Sequence, residues 1–521
     1  MAVVLITAMV VFGCGNGNTP EDDDDPYVPG VGLGTVSITG DLAVGNSIIV
    51  NTSALRGGTS TINTEFYIDG TMPLVGGFQR GDNPQFSLSF EDHGKTIEVV
   101  VQRDEWVEHN DTVSLETGPV VWGWRTRTIA VGVPNEDGTE IMPFRTSRAI
   151  EMDNDGMLYV YSRIAAEHLP NYGNEYHNIW KIDWKDIDIT TTMPEIGAVN
   201  DTSWQGAWAD PAPNTTAEVT LFKNSNTDHA WTAEWLGFDR VNDRLYAARV
   251  WGRDVVRYNP NAPSEYIMLP IPSMFPTIPW RPQSTTNPEP EALDGGLAVA
   301  PGGGTFFILD QYGSISNPRG HRVLKYDVNL GQISVLAGGV KGEDNSPNAP
   351  TLGTGSAARF AHPGDITVGH DGAVYVTDGY FNGQILRVDP TTGTVTNFVG
   401  DGWGYFDGDA LTADFEVMPG ITYGRDGSYY ITDQNGSVIR RIFRDNANSP
   451  WYVTTIAGQA GMQSYAEGLA REEARFRNAH GITVTSAEDG IAGRPVIFVV
   501  DDAHHESSQM NRIRMIYFDD N

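Results

Sequence analysis

Between residues 31 and 120, apolar and polar residues alternate in short runs, among them TVSITG, NSIIVNTSAL, TEFYIDG, QFSLSF and KTIEVVVQR. A period of two marks strands with one face buried, and the Gly, Asn and Asp between the runs favour turns. Roughly seven such runs predict a small β-sandwich. Beyond residue 120 the pattern becomes a degenerate repeat. Its copies are AIEMDNDGMLYVYS from Ala149, GFDRVNDRLYAAR from Gly237, GLAVAPGGGTFFILD from Gly296, GDITVGHDGAVYVTD from Gly364, GITYGRDGSYYITD from Gly420 and GITVTSAEDGIAGRPVIFVVD from Gly481. Each reads as strand, turn and second strand. A third strand follows in each copy (NIWKID, DVVRYNP, RVLKYDV, QILRVDP, VIRRIFR, NRIRMIYF), and several have a fourth. A four-stranded sheet has an apolar face too large to leave wet, so six such units are predicted to stack around an axis as a six-bladed β-propeller.

No fourth strand follows NRIRMIYF. The segment RTRTIAVGV, 125–133, precedes the first copy and has the pattern of a fourth strand. It is predicted to pair into the sixth blade, which would close the ring and remove an open sheet edge. The expected fold class is therefore all-β, a propeller over 121–521 behind a sandwich over 31–120.

The copies at 358–402, 415–461 and 475–518 resemble NHL repeats. The likeness lies in ARFAHPGDITVGHDGAVYVTDGYFNGQILRVDPTTGTVTNFVG, in ARFRNAHGITV and in the lead-ins DGDALTADF and AEGLAREEARF. It implies the propeller and names no function. GDLAVGNSIIVNTSAL with FEDHGKTIEVVV resembles bacterial immunoglobulin-like modules, which implies an Ig-like spacer domain. The opening MAVVLITAMVVFGC resembles a bacterial lipoprotein signal peptide ending in a lipobox. Its apolar run is too short to span a bilayer. The resemblance implies that residues 1–14 are a signal peptide, that Cys14 carries the lipid, and that the protein sits in the cell envelope on the outer membrane, facing the periplasm or the outside. Residues 15–30, GNGNTPEDDDDPYVPG, are too polar to fold and read as a flexible acidic tether.

Charge narrows the partners. With 67 acidic and 34 basic side chains the formal net charge is −33. That field repels phosphate backbones and argues against nucleic acid. The single cysteine excludes an intramolecular disulfide and any thiolate-rich metal site.

Candidate chemistry is sparse. NHL-type propellers include the peptidyl-hydroxyglycine amidating lyase, whose motif places three zinc-binding histidines before the first strands of three blades. The matching positions here are Arg148, Leu236, Gly295, Pro363, Pro419 and His480. One histidine cannot hold such a zinc, so no metal is expected there. Tyr380 and Arg163 do match that lyase, while Gln434 stands where it has a second arginine. Sugar-lactonase propellers need a first-strand glutamate with Asn and Asp ligands; Glu151 lies near such a place, without an evident Asn and Asp. Asp310, Asp378, Asp433 and Asp501 recur at the second-strand ends. They read as turn caps, with a structural calcium as the alternative. No other cofactor is expected. His362 and His480 are candidates to face the central funnel. Trp204, Trp208 and Trp280 fall in Pro-, Asn- and Asp-rich segments, where aromatic rings stack on sugars or grip protein.

The expected function is that of a monomeric, lipid-anchored envelope binding protein whose loops recognise a glycan or protein ligand. The long segments 163–177, 196–230, 270–292 and 340–357 would shape that face. The alternative is a metal-dependent propeller enzyme of lyase, hydrolase or lactonase type.

Overall fold

The structure, a computed structural model, describes residues 34–39, 42, 47–55, 61–70, 72, 78–81, 84–88, 95–104, 112–119, 123–130, 133–134, 141–142, 149–164, 176–187, 218–224, 235–248, 254–270, 295–310, 319–340, 350–378, 383–501 except 445, 487 and 492, and 512–519. Cys14 and the proposed signal and tether lie outside them.

Seven strands between Ser37 and Pro119 make two antiparallel sheets. One holds Ser37–Thr39, Ser47–Asn51 and Gln85–Ser87; the other holds Phe78–Arg80, Ile62–Ile68, Thr96–Arg103 and Val113–Pro119. The period-two reading holds in detail, since Ile97, Val99 and Val101 are buried while the residues between them are partly exposed. The two inner faces meet around Ile48, Val50, Phe66 and Phe86, with Phe66 stacked on Phe86 at 4.8 Å.

The remaining chain forms six blades. Their first strands are Ile150–Met152, Trp235–Asp239, Leu297–Val299, Pro363–Val368, Gly420–Tyr423 and Ala479–Val484. Each is followed in antiparallel order by its second and third strands, and five blades take their fourth strand from the chain that follows. Blade six instead takes Gly123–Ala130, with Thr126 opposite Ile516 and Thr128 opposite Arg514. The predicted closure is therefore formed. Ile129 on that strand is fully buried among Val160, Trp180 and Met515, so closure also cements blade six to blade one. The first strands stand side by side round the axis, each next to that of the following blade. Six apolar clusters fill the six junctions.

Second-strand ends show how the repeat works. Thr377 Oγ1 of blade four donates to Met418 O of blade five over 2.8 Å, and Thr432 Oγ1 of blade five donates to His480 O of blade six over 2.7 Å. Successive strand residues face opposite ways. Asp378 accordingly turns back to its own blade and accepts from the N–H groups of Ala361 and His362. Asp433 accepts from Glu416 N–H and Gly436 N–H, and Asp501 from Arg477 N–H and Asn478 N–H. These are the expected turn caps. Asp310 pairs with Arg322 at 2.8 Å.

Two sequence expectations change. Strand pairing makes Ile150, Leu236, Leu297, Ile366, Ile421 and Ile482 equivalent, because each faces the matching second-strand residue (Val160, Ala247, Ile308, Val376, Ile431, Val499). The ring of His480 then contains Gly364, not Pro363, and does not contain Leu236. The error arose because the first-strand glycines do not occupy one register position. The sandwich, read as a spacer, is also seated on the outer side of the ring. Leu469 of the propeller enters its apolar cluster, and Ile49 clusters with Phe443 and Tyr452.

Candidate functional site

Antiparallel connectivity gives the propeller two faces. First strands turn into second strands at one, the hairpin face; blades connect to one another at the opposite, crossover face. A cavity of about 540 Å³ runs along the axis, lined by first-strand residues of all six blades and opening among the hairpins. That size suits a small molecule.

The equivalent residues Ile150, Leu236, Leu297, Ile366, Ile421 and Ile482 form an apolar waist. One register step towards the crossover face stand Ala149, Trp235, Gly296, Asp365, Gly420 and Gly481. One step towards the hairpin face stand Glu151, Gly237, Ala298, Thr367, Thr422 and Thr483. Each ring holds a single ionisable residue. The two come from blades four and one, which are opposite one another in a ring of six. Asp365 Oδ2 accepts from Ile421 N–H at 3.2 Å, and its carboxylate lies where a side chain on Gly296 would stand: a Cβ built there falls 2.1 Å from Asp365 Oδ1. Glycine at 296 is thus what admits an acid at 365.

Enclosure by the protein pushes the carboxyl of Asp365 up to about 7 against the pull of two backbone N–H groups. The same cause raises Glu151 to about 7; Arg240 and the Met152 N–H act against it, and Asp365 adds to it. The Asp365 carboxylate therefore acts on Glu151 across the cavity. At the hairpin mouth stand Arg240 of blade two and Arg425 of blade five, again opposite blades, with His370 of blade four between. Burial, and the neighbouring Arg444, hold His370 below the usual imidazole range. Among the described residues, neither arginine forms an ion pair within 4 Å with Glu151 or Asp365. Four charges thus border one cavity without cancelling in contact pairs. Trp235, Phe238 and Tyr423 supply aromatic wall. Among the described residues no group of three or more His, Cys, Asp or Glu is placed to hold a metal ion.

Of the residues singled out from sequence, Glu151 lines the cavity and His480 and His362 do not. His480 is nearly buried, with Nε2 2.8 Å from Gln434 Nε2, and lies outside the cavity lining. His362 meets the ring of His321 at 5.7 Å and also lies outside it. The register places His362 two positions from the His480 ring, so the two histidines do not converge. Arg163 is in the second strand of blade one, next to the crossover face. Trp204, Trp208, Trp280 and Tyr380 are outside the described residues. The strands bordering 188–217, which carries Trp204 and Trp208, end at the hairpin face; those bordering 271–294, with Trp280, end at the crossover face.

Sequence reasoning touched Glu151 and missed Asp365, Arg240 and Arg425. The signal for Asp365 was present: GDIT breaks the series GLAV, GITY and GITV by placing an acid beside the strand's first apolar residue. It also passed over the connection between blades four and five, where Trp403, Tyr405, Phe406 and Leu411 are all about half exposed.

No family model matches the chain. It is similar to the protein SUPPRESSOR OF QUENCHING 1, chloroplastic, of Arabidopsis thaliana, with 28% identity over 215 residues, covering 39% of this chain and 19% of that protein. The chain thus spans about a fifth of the length of the curated relative it matches. Among solved structures it is similar to a Bacteroides thetaiotaomicron protein of unknown function (14% identity, 96% of this chain, 99% of that one, TM-score 0.48). It is also similar to an auxiliary nutrient binding protein of the same organism (13%, 95% and 99%, 0.45) and to virginiamycin B lyase of Staphylococcus aureus (12%, 76% and 99%, 0.35). Among the described residues no helix is long and apolar enough to cross a membrane.

Proposed function

We propose that the chain is a binding protein of the bacterial cell envelope, held by lipid on Cys14, whose ligand enters the axial cavity from the hairpin face. The observation that carries this is the cavity itself, about 540 Å³, walled by all six blades and bordered by two carboxyls and two guanidiniums that make no contact ion pair with one another. A rigid ring loses little conformational freedom when it binds, which favours recognition by a preformed site. The NHL and Ig-like assignments, the domain limits at 15, 31 and 121, and a monomeric state belong to the same reading. The exposed strip Trp403–Tyr405–Phe406 supports a second contact, with a glycan or protein, at the connection between blades four and five.

A second reading rests on one observation. Two carboxyls on opposite blades, both raised to about 7, have the poise that general acid–base chemistry needs. Metal-free turnover of a glycan or ester lost in Glu151→Gln would favour it. The binding reading is tested by a thermal-shift screen of small polar metabolites on the full chain, repeated with Ile366→Trp, which fills the waist. Hits that vanish on filling support the axial site. Hits that persist move the ligand to the outer faces.

A further inference from the structure

We propose that the axial cavity is shaped for a small elongated zwitterion of about dipeptide size, its ammonium group at Glu151 and Asp365 and its carboxylate at Arg240 and Arg425. This rests on the reading of the cavity as a binding site and goes further by naming the ligand class.

The argument is the order of charge along the axis. Arg240 directly follows the first strand Trp235–Asp239, and Arg425 follows Gly420–Tyr423 with one residue between. They stand on opposite blades at the mouth. Their partners in that ring, Asn154, Pro301, His370 and Ser486, add no anion. Three register steps deeper is Glu151, and two steps beyond it Asp365. Strands rise about 3.3 Å per residue. The arginine layer and the Glu151 layer are therefore about 10 Å apart along the backbone, less at the side-chain tips, and the Asp365 layer lies roughly 7 Å further in. A compact cation would satisfy the acids and leave both guanidiniums facing water. A compact anion would do the reverse. A neutral sugar would desolvate the acids and the guanidiniums without supplying a charge to either, which is costly. A molecule with opposite charges at its two ends, amine first, matches both layers. Its middle would meet the apolar waist and the Trp235, Phe238 and Tyr423 rings.

Glycine at 296 is independent support. It brings Asp365 Oδ1 to where a Cβ would be, so the acid is accommodated by a matching gap on the neighbouring blade. The acid also keeps only a backbone donor, Ile421 N–H, among hydrogen bonds to that carboxylate from the next blade. Glu151 acts on Arg240 most strongly of the charged groups, and Asp153 and Asp489 act on it more weakly from the mouth. They lower the positive potential of the mouth without closing on either guanidinium.

Calorimetry on the full chain with alanyl-alanine, glycyl-glycine, lysine and 6-aminohexanoate tests this, each alongside its N-acetyl and carboxamide forms, with glucose and N-acetylglucosamine as neutral probes. The expected result is that at least one free zwitterion binds. Blocking either end should weaken it about tenfold or more, as should Glu151→Gln or Asp365→Asn. Protons should be released on binding at pH 7, read as a dependence on buffer ionisation enthalpy. Because the ligand-blocking arms use the unaltered protein, a variant that folds poorly does not decide the outcome. Neutral sugars binding in a manner abolished by Ile366→Trp, with no zwitterion binding, would overturn this proposal and leave the axial site standing. If neither class binds, both fall.

Discussion

Arg514 Nη1 donates to Asp501 Oδ2 over 3.1 Å, and neither side chain has any exposed surface. The guanidinium also donates to Arg475 O and Ala466 O and lies 4.9 Å from the Phe476 ring. Blade five repeats this with Arg440, Asp433 and Phe415. Blade four keeps the acid (Asp378) and the ring (Phe360) but has Leu386 where the arginine would be. The pair is thus optional to the fold and costly to break. Removing one partner of a buried pair leaves the other uncompensated, at about 3–5 kcal/mol, whereas replacing both is far milder. Arg514→Leu is expected to lower stability by about 3 kcal/mol or more. Arg514→Leu with Asp501→Asn should recover at least about 1 kcal/mol of that. Denaturant titration of the four proteins gives the coupling, and strict additivity would refute it.

What could be read in the sequence was what repeats. The period-two runs, the aromatic second strands and the terminal Asp recur, so strands, blade number and closure by 125–130 were visible. The charged site was not, because it consists of departures from the repeat. Glu151, Arg240, Asp365 and Arg425 are one residue each on four blades. They come together only when register is known, and the glycine motif misled it by one or two positions in blades two and four. Tryptophans drew attention to 188–217 and 271–294, whereas the exposed rings at 403–406 sit between two copies that looked purely structural.

Acidity gives a prediction with an unusual sign. Glu151, Asp365 and Asp433 are each raised to about 7, and Asp378 to about 6, mainly by enclosure. In the unfolded chain they titrate near 4. Between these limits the folded state holds more protons, so stability falls as pH rises from about 4 to about 7. Melting at pH 5 should exceed melting at pH 8. Asp365→Asn should gain about 1–2 kcal/mol at pH 8, little at pH 4, and flatten the curve. A destabilised Asp365→Asn at pH 8 would show that the carboxylate is held by more than the Ile366 and Ile421 N–H groups.

Gly296 and Asp365 are expected to be coupled. In Gly296→Ala the new methyl falls 2.1 Å from Asp365 Oδ1 and 2.9 Å from Ile366 N. Overpacking of this kind costs about 1–3 kcal/mol. Asp365→Gly removes the first clash and not the second, so it should rescue Gly296→Ala in part. A double-mutant cycle with coupling below about 0.5 kcal/mol would mean that the blades shift apart to make room.

Docking of the sandwich is separable from closure of the ring. Ile49 meets Phe443 and Tyr452 at the outer side of blade five, a small apolar contact. Ile129 is wholly buried between blades six and one. An aspartate at each position buries a charge, with opposite consequences. Ile49→Asp should release the sandwich: limited proteolysis would cut near 120 while the propeller keeps its melting transition. Ile129→Asp strikes the strand that completes the sheet, where an unpaired buried charge costs several kcal/mol. Because the junctions are continuous, that loss should spread round the ring and abolish the cooperative transition. If the Ile129→Asp protein melts like the parent, the ring does not depend on Gly123–Ala130 and is held by the other five junctions alone.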